Sequence, residues 1–182
     1  MTYYGAKELA ESFRTVRKNT ILIAEDIPEG KYDFKATTET RSVAHLLTHI
    51  AINNEYHHQI HAVERRTTLE GFDFFALMQK LAEDERKARS RGEIIQLLRE
   101  RGEKWATWLE GLSEGFLAES VTMPAGFGAA AKSRFEMLLS VKEHEMHHRA
   151  QLMLIERLIG IVPHLTRQMQ EHMARTMPAA KP

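Results

Sequence analysis

The chain of 182 residues contains no cysteine, which removes disulfides, thiolate nucleophiles and cysteine metal sites together and fits a reducing cytosol. It has no excess charge of either sign. Its 25 basic and 25 acidic side chains cancel, so no global field draws it to nucleic acid or to an anionic membrane. No apolar run approaches the length of a membrane span, and the opening MTYYGAKELAESFRTV carries acidic groups early, unlike a signal peptide. A cytoplasmic location is therefore expected. Phosphate-binding glycine loops are missing too: Gly111, Gly115, Gly126 and Gly128 fit neither a P-loop nor G-x-G-x-x-G and follow no strand pattern. The length suits one well-cored domain, expected over residues 1–177, with a frayed tail at 178–182.

What the chain does have is helical periodicity. Leu9, Phe13, Val16, Thr20 and Ile23 recur at three- and four-residue steps and predict a helix over residues 6–25, stopped by Asp26-Ile-Pro28-Glu-Gly30. A second helix is expected from 42 to 65, a stretch with neither glycine nor proline, its inner face carried by Val43, Leu46, Leu47, Ile50 and Asn54. Phe72, Phe74, Phe75, Leu77 and Met78 form an aromatic-rich patch leading into a charged helical stretch at 80–89; the patch either covers one end of the fold or makes a subunit contact. A third helix is expected over 92–112, with Gly102 inside it and Trp105 and Trp108 read as core, either ring being able to wall a pocket. Residues 113–130 break the pattern, with a short extended segment within 116–123. A fourth helix, 130–160, ends at Gly160, and Pro163 opens a short terminal helix, 163–175, with Met169, His172 and Met173 as a packing edge. Four amphipathic helices with connections of roughly 15 to 25 residues predict an all-α bundle with long crossover connections and a short C-terminal helix.

The chain is also rich in histidine, with most of its ten within 45–61 and 144–148. His144 and His148 lie four apart on one helix face, and Met137, Val141, Leu152, Ile155 and Ile159 fall within about 80° of His144. Two imidazoles thus sit inside an apolar stripe, where each needs a partner, and a divalent metal suits a neutral ring nitrogen. A satisfied core pair has the same spacing, so a third ligand is required. The second helix offers His45, His49, His57, His58 and His61, and spacing does not choose, since 45 and 49 are four apart and so are 57 and 61. His57, His58 and His61, just before Arg65 and Arg66, read as a solvated C-terminal turn. His147, about 60° from His144, belongs to the rim. For proton handling Glu145 is the nearest candidate, about 100° from His144, while Asn53, one turn beyond His49, is placed to hold a water or a substrate oxygen. His144-Glu145-Met146-His147-His148 also matches H-E-x-x-H, a string too short to identify a zinc protease.

Three stretches resemble the DinB-like family of DinB/YfiT-type metal proteins: Arg41-Ser-Val-Ala-His45-Leu-Leu-Thr-His49-Ile-Ala51, His144-Glu-Met-His147-His148-Arg149-Ala-Gln151-Leu152, and Leu158-Ile-Gly160-Ile-Val-Pro163. The resemblance spans about residues 5–163 and implies a four-helix bundle whose metal ligands are His49, His144 and His148, with the remaining histidines outside the set. Ala150 stands where the family commonly has glycine, and Met146 where the residue is often small. One divalent ion is implied, zinc, nickel or manganese, among which three histidines do not select. Three protein donors leave coordination positions open, as in catalytic rather than closed structural sites. The implied activity is that of a metal-dependent hydrolase or a low-molecular-weight-thiol transferase acting on a small molecule; the alternative is a non-catalytic bundle that the metal braces or that binds a small ligand. Arg149 is expected to grip a thiol cofactor's carboxylates, with Arg41 and Arg134 as further candidates. A homodimer is also implied, with the 72–78 patch as its contact. The family's name points to DNA damage, but balanced charge and the lack of a clustered basic helix argue against direct DNA binding.

Overall fold

The computed structural model of the chain describes residues 4–126 and 128–176. Its elements in order are α1 (Ala6–Asp26), α2 (Val43–Ile52), α3 (Asn54–His58) running into a π-helical turn (Gln59–Val63), α4 (Phe74–Glu85), α5 (Arg91–Glu110), α6 (Glu114–Ala118), strands β1 (Ser120–Thr122) and β2 (Ala131–Ser133), α7 (Arg134–Leu158) and α8 (His164–Thr176). Four of them make the bundle. α1 and α2 each pack against both α5 and α7, so α1 and α2 face each other across the diagonal. Serine side chains start the long helices: Ser90 and Ser133 each accept from the third backbone N–H of α5 and α7, while Glu93 and Glu136 return the bond. Two residues past α7 the chain turns at Gly160, whose φ of 85° lies where a side chain would be strained.

The apolar stripes read from the sequence meet in two main clusters. Ile23, Leu47, Ile50, Leu98 and Leu152 fill one half of the bundle, and Leu9, Phe13, Trp105, Leu109 and Leu138 fill the other. Between them Arg17 of α1, almost fully buried, ties all four helices together. It donates to the Leu98 carbonyl on α5 at 2.8 Å, to the Ile50 carbonyl on α2 at 3.2 Å, and through Nε and Nη2 to the Glu145 carboxylate on α7 at 2.9 Å. Thr20 adds a 2.7 Å hydroxyl bond to Glu145. Neither charge faces water, and the pair is stable there because every strong donor has an acceptor.

Several expectations are corrected. The helix expected over 42–65 is interrupted at Asn53. The Ile50 carbonyl, which would accept from the Asn54 N–H in an unbroken helix, accepts from Arg17 instead. His57 and His61 are not a solvated turn: both are buried, with rings stacked 5.7 Å apart. The start of the fourth helix is displaced because residues 131–133 pair antiparallel with 120–122, in the register Val121↔Lys132. Val121 thereby joins Ile60, Leu69 and Met137 in a third cluster, on which Phe72 and Phe74 pack. Met169 and Met173 of α8 are largely exposed and form no packing edge. The tail expected at 178–182 lies outside the described residues. Among those described, no helix is long and apolar enough to cross a membrane.

Candidate metal centre

His49 projects from α2, and His144 and His148 from one face of α7, where α2 and α7 pack. The Nε2 of His144 lies 3.2 Å from the Nε2 of His49 and 3.1 Å from that of His148. The three sets of ligand atoms fall within 4.8 Å of one another. The other nitrogens of His49 and His148 are occupied. His49 Nδ1 meets Glu85 Oε1 at 2.7 Å, and His148 Nδ1 meets Gln151 Oε1 at 2.9 Å. A carboxylate and an amide oxygen only accept, so both Nδ1 atoms carry protons and both Nε2 atoms turn lone pairs toward His144. His144 Nε2 has at most one proton and satisfies at most one of them. Neutral rings holding lone pairs this close repel unless a cation lies among them, so the donor set fits a divalent ion.

The electrostatics favour the neutral, ligating form. Burial pushes the His144 pKa down to about 4, with His148, His49, His147 and Arg41 adding to the shift. Burial also lowers that of His148, against the opposing bond from Gln151. Glu85 reaches in from α4 and bridges two rings, touching His45 Nε2 at 3.2 Å as well as His49. Burial works against its charge, but the hydrogen bonds to His49 and His45 oppose this, and its pKa lies below the ordinary carboxylate value.

The remaining candidates are distributed differently. Glu145 is 2 % exposed, and its two oxygens are engaged by Arg17 and Thr20 on the α1 side, so it is a structural ion pair and not a base at the histidines. The physical reason is the 100° step: one residue past His144, the side chain leaves the α2-facing side for the α1-facing side. Asn53 caps α2 one turn beyond His49 and is half-buried. Arg149 acts on His164 at the α8 end, whereas Arg41 is the arginine whose charge reaches His144 and His148. Arg134 is buried elsewhere, against His61 and Glu119. His147 is exposed and touches Gln151 Nε2 at 3.2 Å. Trp105 lies in the core with Leu9 and Phe13.

Beside the histidines a cleft of about 580 Å³ is lined by Glu39, Arg41, Leu46, Gln151, Leu154 and Ile155. Gln151 belongs to both, orienting His148 with one end of the amide while it walls the cleft. Gln151 and Glu85 join the centre without standing out in the sequence. The three-residue step from His148 to Gln151 was a usable signal. Glu85, one acid in a charged run 36 residues from His49, carried none.

A family model described as the DinB superfamily matches residues 12–152. Among solved structures, the chain is similar to a DinB-like protein, YjoA, of Bacillus subtilis, with 20 % identity, TM-score 0.61, and coverage of 84 % of this chain and 92 % of that one. It is also similar to YfiT of Bacillus subtilis, described as a probable metal-dependent hydrolase with an unusual four-helix bundle topology, with 15 % identity, TM-score 0.64, and coverage of 88 % and 91 %. At these identities the two structures speak for the fold. No curated protein matches the chain in sequence.

Proposed function

Since this chain belongs to the DinB superfamily, we propose that His49, His144 and His148 hold one divalent metal ion, zinc, nickel or manganese, and that the chain is a metal-dependent enzyme acting on a small molecule. The observation that carries this reading is the convergence of three Nε2 atoms, with the His49 ring fixed through its other nitrogen by Glu85 and the His148 ring by Gln151. When bound, such an ion supplies Lewis-acid activation of a water or a thiol. The chain's own residues do the rest. Arg41 pairs with an anionic group of the substrate, Leu46, Leu154 and Ile155 hold its apolar part, and Gln151 keeps the His148 ring in register with the cleft. Asn53 is the polar group one turn from His49 for a water or substrate oxygen.

Hydrolysis and transfer from a low-molecular-weight thiol are both within this reading, and Arg41 favours a substrate or thiol that carries a carboxylate. The rival reading, a metal that merely braces the bundle, calls for a fourth protein ligand. Among the described residues, no further His, Cys, Asp or Glu joins the three-histidine group. For the homodimer, the face we put forward is α4, where Phe75 is 73 % exposed while Phe72 and Phe74 are already packed.

Elemental analysis after dialysis tests the centre. Purified protein is expected to carry close to one ion per chain, His144→Ala to lose it and His147→Ala to keep it. Equal retention in His144→Ala and the parent would sink the assignment. Crystals soaked with low-molecular-weight thiols then separate the activities: sulfur on the ion selects transfer, and a coordination sphere sealed from solvent selects the brace.

A further inference from the structure

A second cleft, of about 320 Å³, opens where the π-helical turn meets the α5–α6 connection, and it is lined by His61, Arg65, Trp108, Leu112, Ser113 and Phe116. None of these residues belongs to the metal centre. Against His61 and Phe116 lies Arg134, 1 % exposed, which donates Nε to Glu119 at 2.9 Å and Nη1 to His61 Nδ1 at 2.9 Å. A guanidinium only donates, so His61 Nδ1 is an acceptor and the proton of this neutral ring is on Nε2. That N–H belongs to a side chain with no exposed surface and has no hydrogen-bond partner among the described residues. A buried donor of this kind is uncommon and calls for an acceptor.

The charges around it point to the kind of acceptor. Phe116 is flanked by two guanidinium groups, Arg134 at 4.6 Å and Arg65 at 5.5 Å from the ring centre. Arg134 is neutralised by Glu119, whereas no ion pair to Arg65 forms among the described residues. The cleft therefore brings together an exposed guanidinium and an N–H with no partner among the described residues, beside the apolar faces of Trp108, Leu112 and Phe116. Two backbone features concentrate here as well. Arg65 has a φ of 48°, the left-handed turn that ends the helix as the Arg66 N–H bonds back to the Ile60 carbonyl at 3.0 Å, and His61 sits on a π-helical turn, a feature that recurs at functional sites.

We propose that this cleft is a second binding site, for a small carboxylic acid with an aromatic or apolar body. The carboxylate accepts from His61 Nε2 and pairs with Arg65, and the body lies against Trp108 and Phe116. A single cation and a single neutral donor suit a carboxylate monoanion better than a phosphate dianion, which would leave a charge uncompensated.

Benzoate is the probe, with benzamide as its neutral isostere and inorganic phosphate as the alternative anion. Binding is followed through the fluorescence of the two tryptophans and through the His61 Nε2 resonance in nitrogen-correlated NMR. Benzoate is expected to give a saturable change in both signals, with the His61 N–H moving as it gains an acceptor. Arg65→Asn removes the guanidinium while keeping a residue tolerant of the left-handed backbone, and it is expected to weaken benzoate at least about ten-fold with metal content unchanged. The proposal is overturned if benzoate gives no saturable response, if Arg65→Asn binds it as the parent does, or if benzamide or phosphate binds as tightly.

Discussion

Glu85 shows how much of a metal centre lies outside its ligands. Its carboxylate fixes the His49 ring through Nδ1, and from a different helix it holds His45 as well, so α4 is coupled to the histidine cluster through one side chain. A carboxylate behind a ligating imidazole sets the tautomer and raises the basicity of the opposite nitrogen, and losing it typically costs ~10–100-fold in metal affinity. Glu85→Ala is accordingly expected to weaken zinc binding by about that factor, with Glu85→Gln falling between it and the parent because its amide oxygen still accepts from Nδ1. Competition against a chromophoric chelator at pH 7.5 measures both. Unchanged affinity in Glu85→Ala would show that packing alone orients His49.

At the scale of the element, α5 contains two glycines with opposite roles. A Cβ placed on Gly92 meets nothing within 4 Å, whereas one on Gly102 would lie 2.8 Å from Arg17 Cγ and 3.0 Å from its Nη1. Arg17 cannot step aside without loosening its bonds to Leu98, Ile50 and Glu145. Alanine gains about 1 kcal/mol of helix propensity at either position. At Gly102 overpacking costs ~1–3 kcal/mol, and disturbing a buried ion pair adds to it. Gly102→Ala is thus expected to destabilise the protein by roughly 1–3 kcal/mol, and Gly92→Ala to stabilise it by up to about 1 kcal/mol. Urea denaturation of the two variants checks the difference in sign. The same contact explains where the sequence was legible. α1, α5 and α7 follow their apolar periodicity because each buries one stripe. The break at Asn53 and the pairing of β1 with β2 depend on partners far along the chain, Arg17 for the first and residues 131–133 for the second. The His144–His148 face followed from helical spacing, but the direction of Glu145 became clear only with α1 in place.

At the scale of the whole molecule, α8 closes the bundle over a polar layer. His164 Nε2 meets Asn19 Oδ1 at 3.1 Å, and Arg167 pairs with Asp26 at 2.7 Å. Beside them Glu156 of α7 has no exposed surface, and neither of its oxygens has a hydrogen-bond partner among the described residues. Burial, reinforced by the charge of Asp26 and only partly offset by Arg167 and Arg157, pushes its pKa up to about 7. The folded state therefore holds this proton more tightly than the unfolded chain, whose glutamate titrates near 4.5. Stability from this group is complete below that value, falls as pH rises toward 7 and is flat above it, a loss on the order of 3 kcal/mol. His57 and His61 act in the opposite sense. Burial lowers their pKa values to about 3 and about 4, so their contribution is complete above 6.5 and is lost as pH falls. Glu156→Gln separates the two, because it leaves the histidines in place and removes only the carboxylate. Thermal or urea unfolding at pH 4 and pH 8 is expected to give nearly equal stability for parent and variant at the lower pH, and a variant more stable by up to about 3 kcal/mol at the higher. An equal difference at both values would mean that Glu156 does not change protonation between them, and that α8 closes over a charge the layer already compensates.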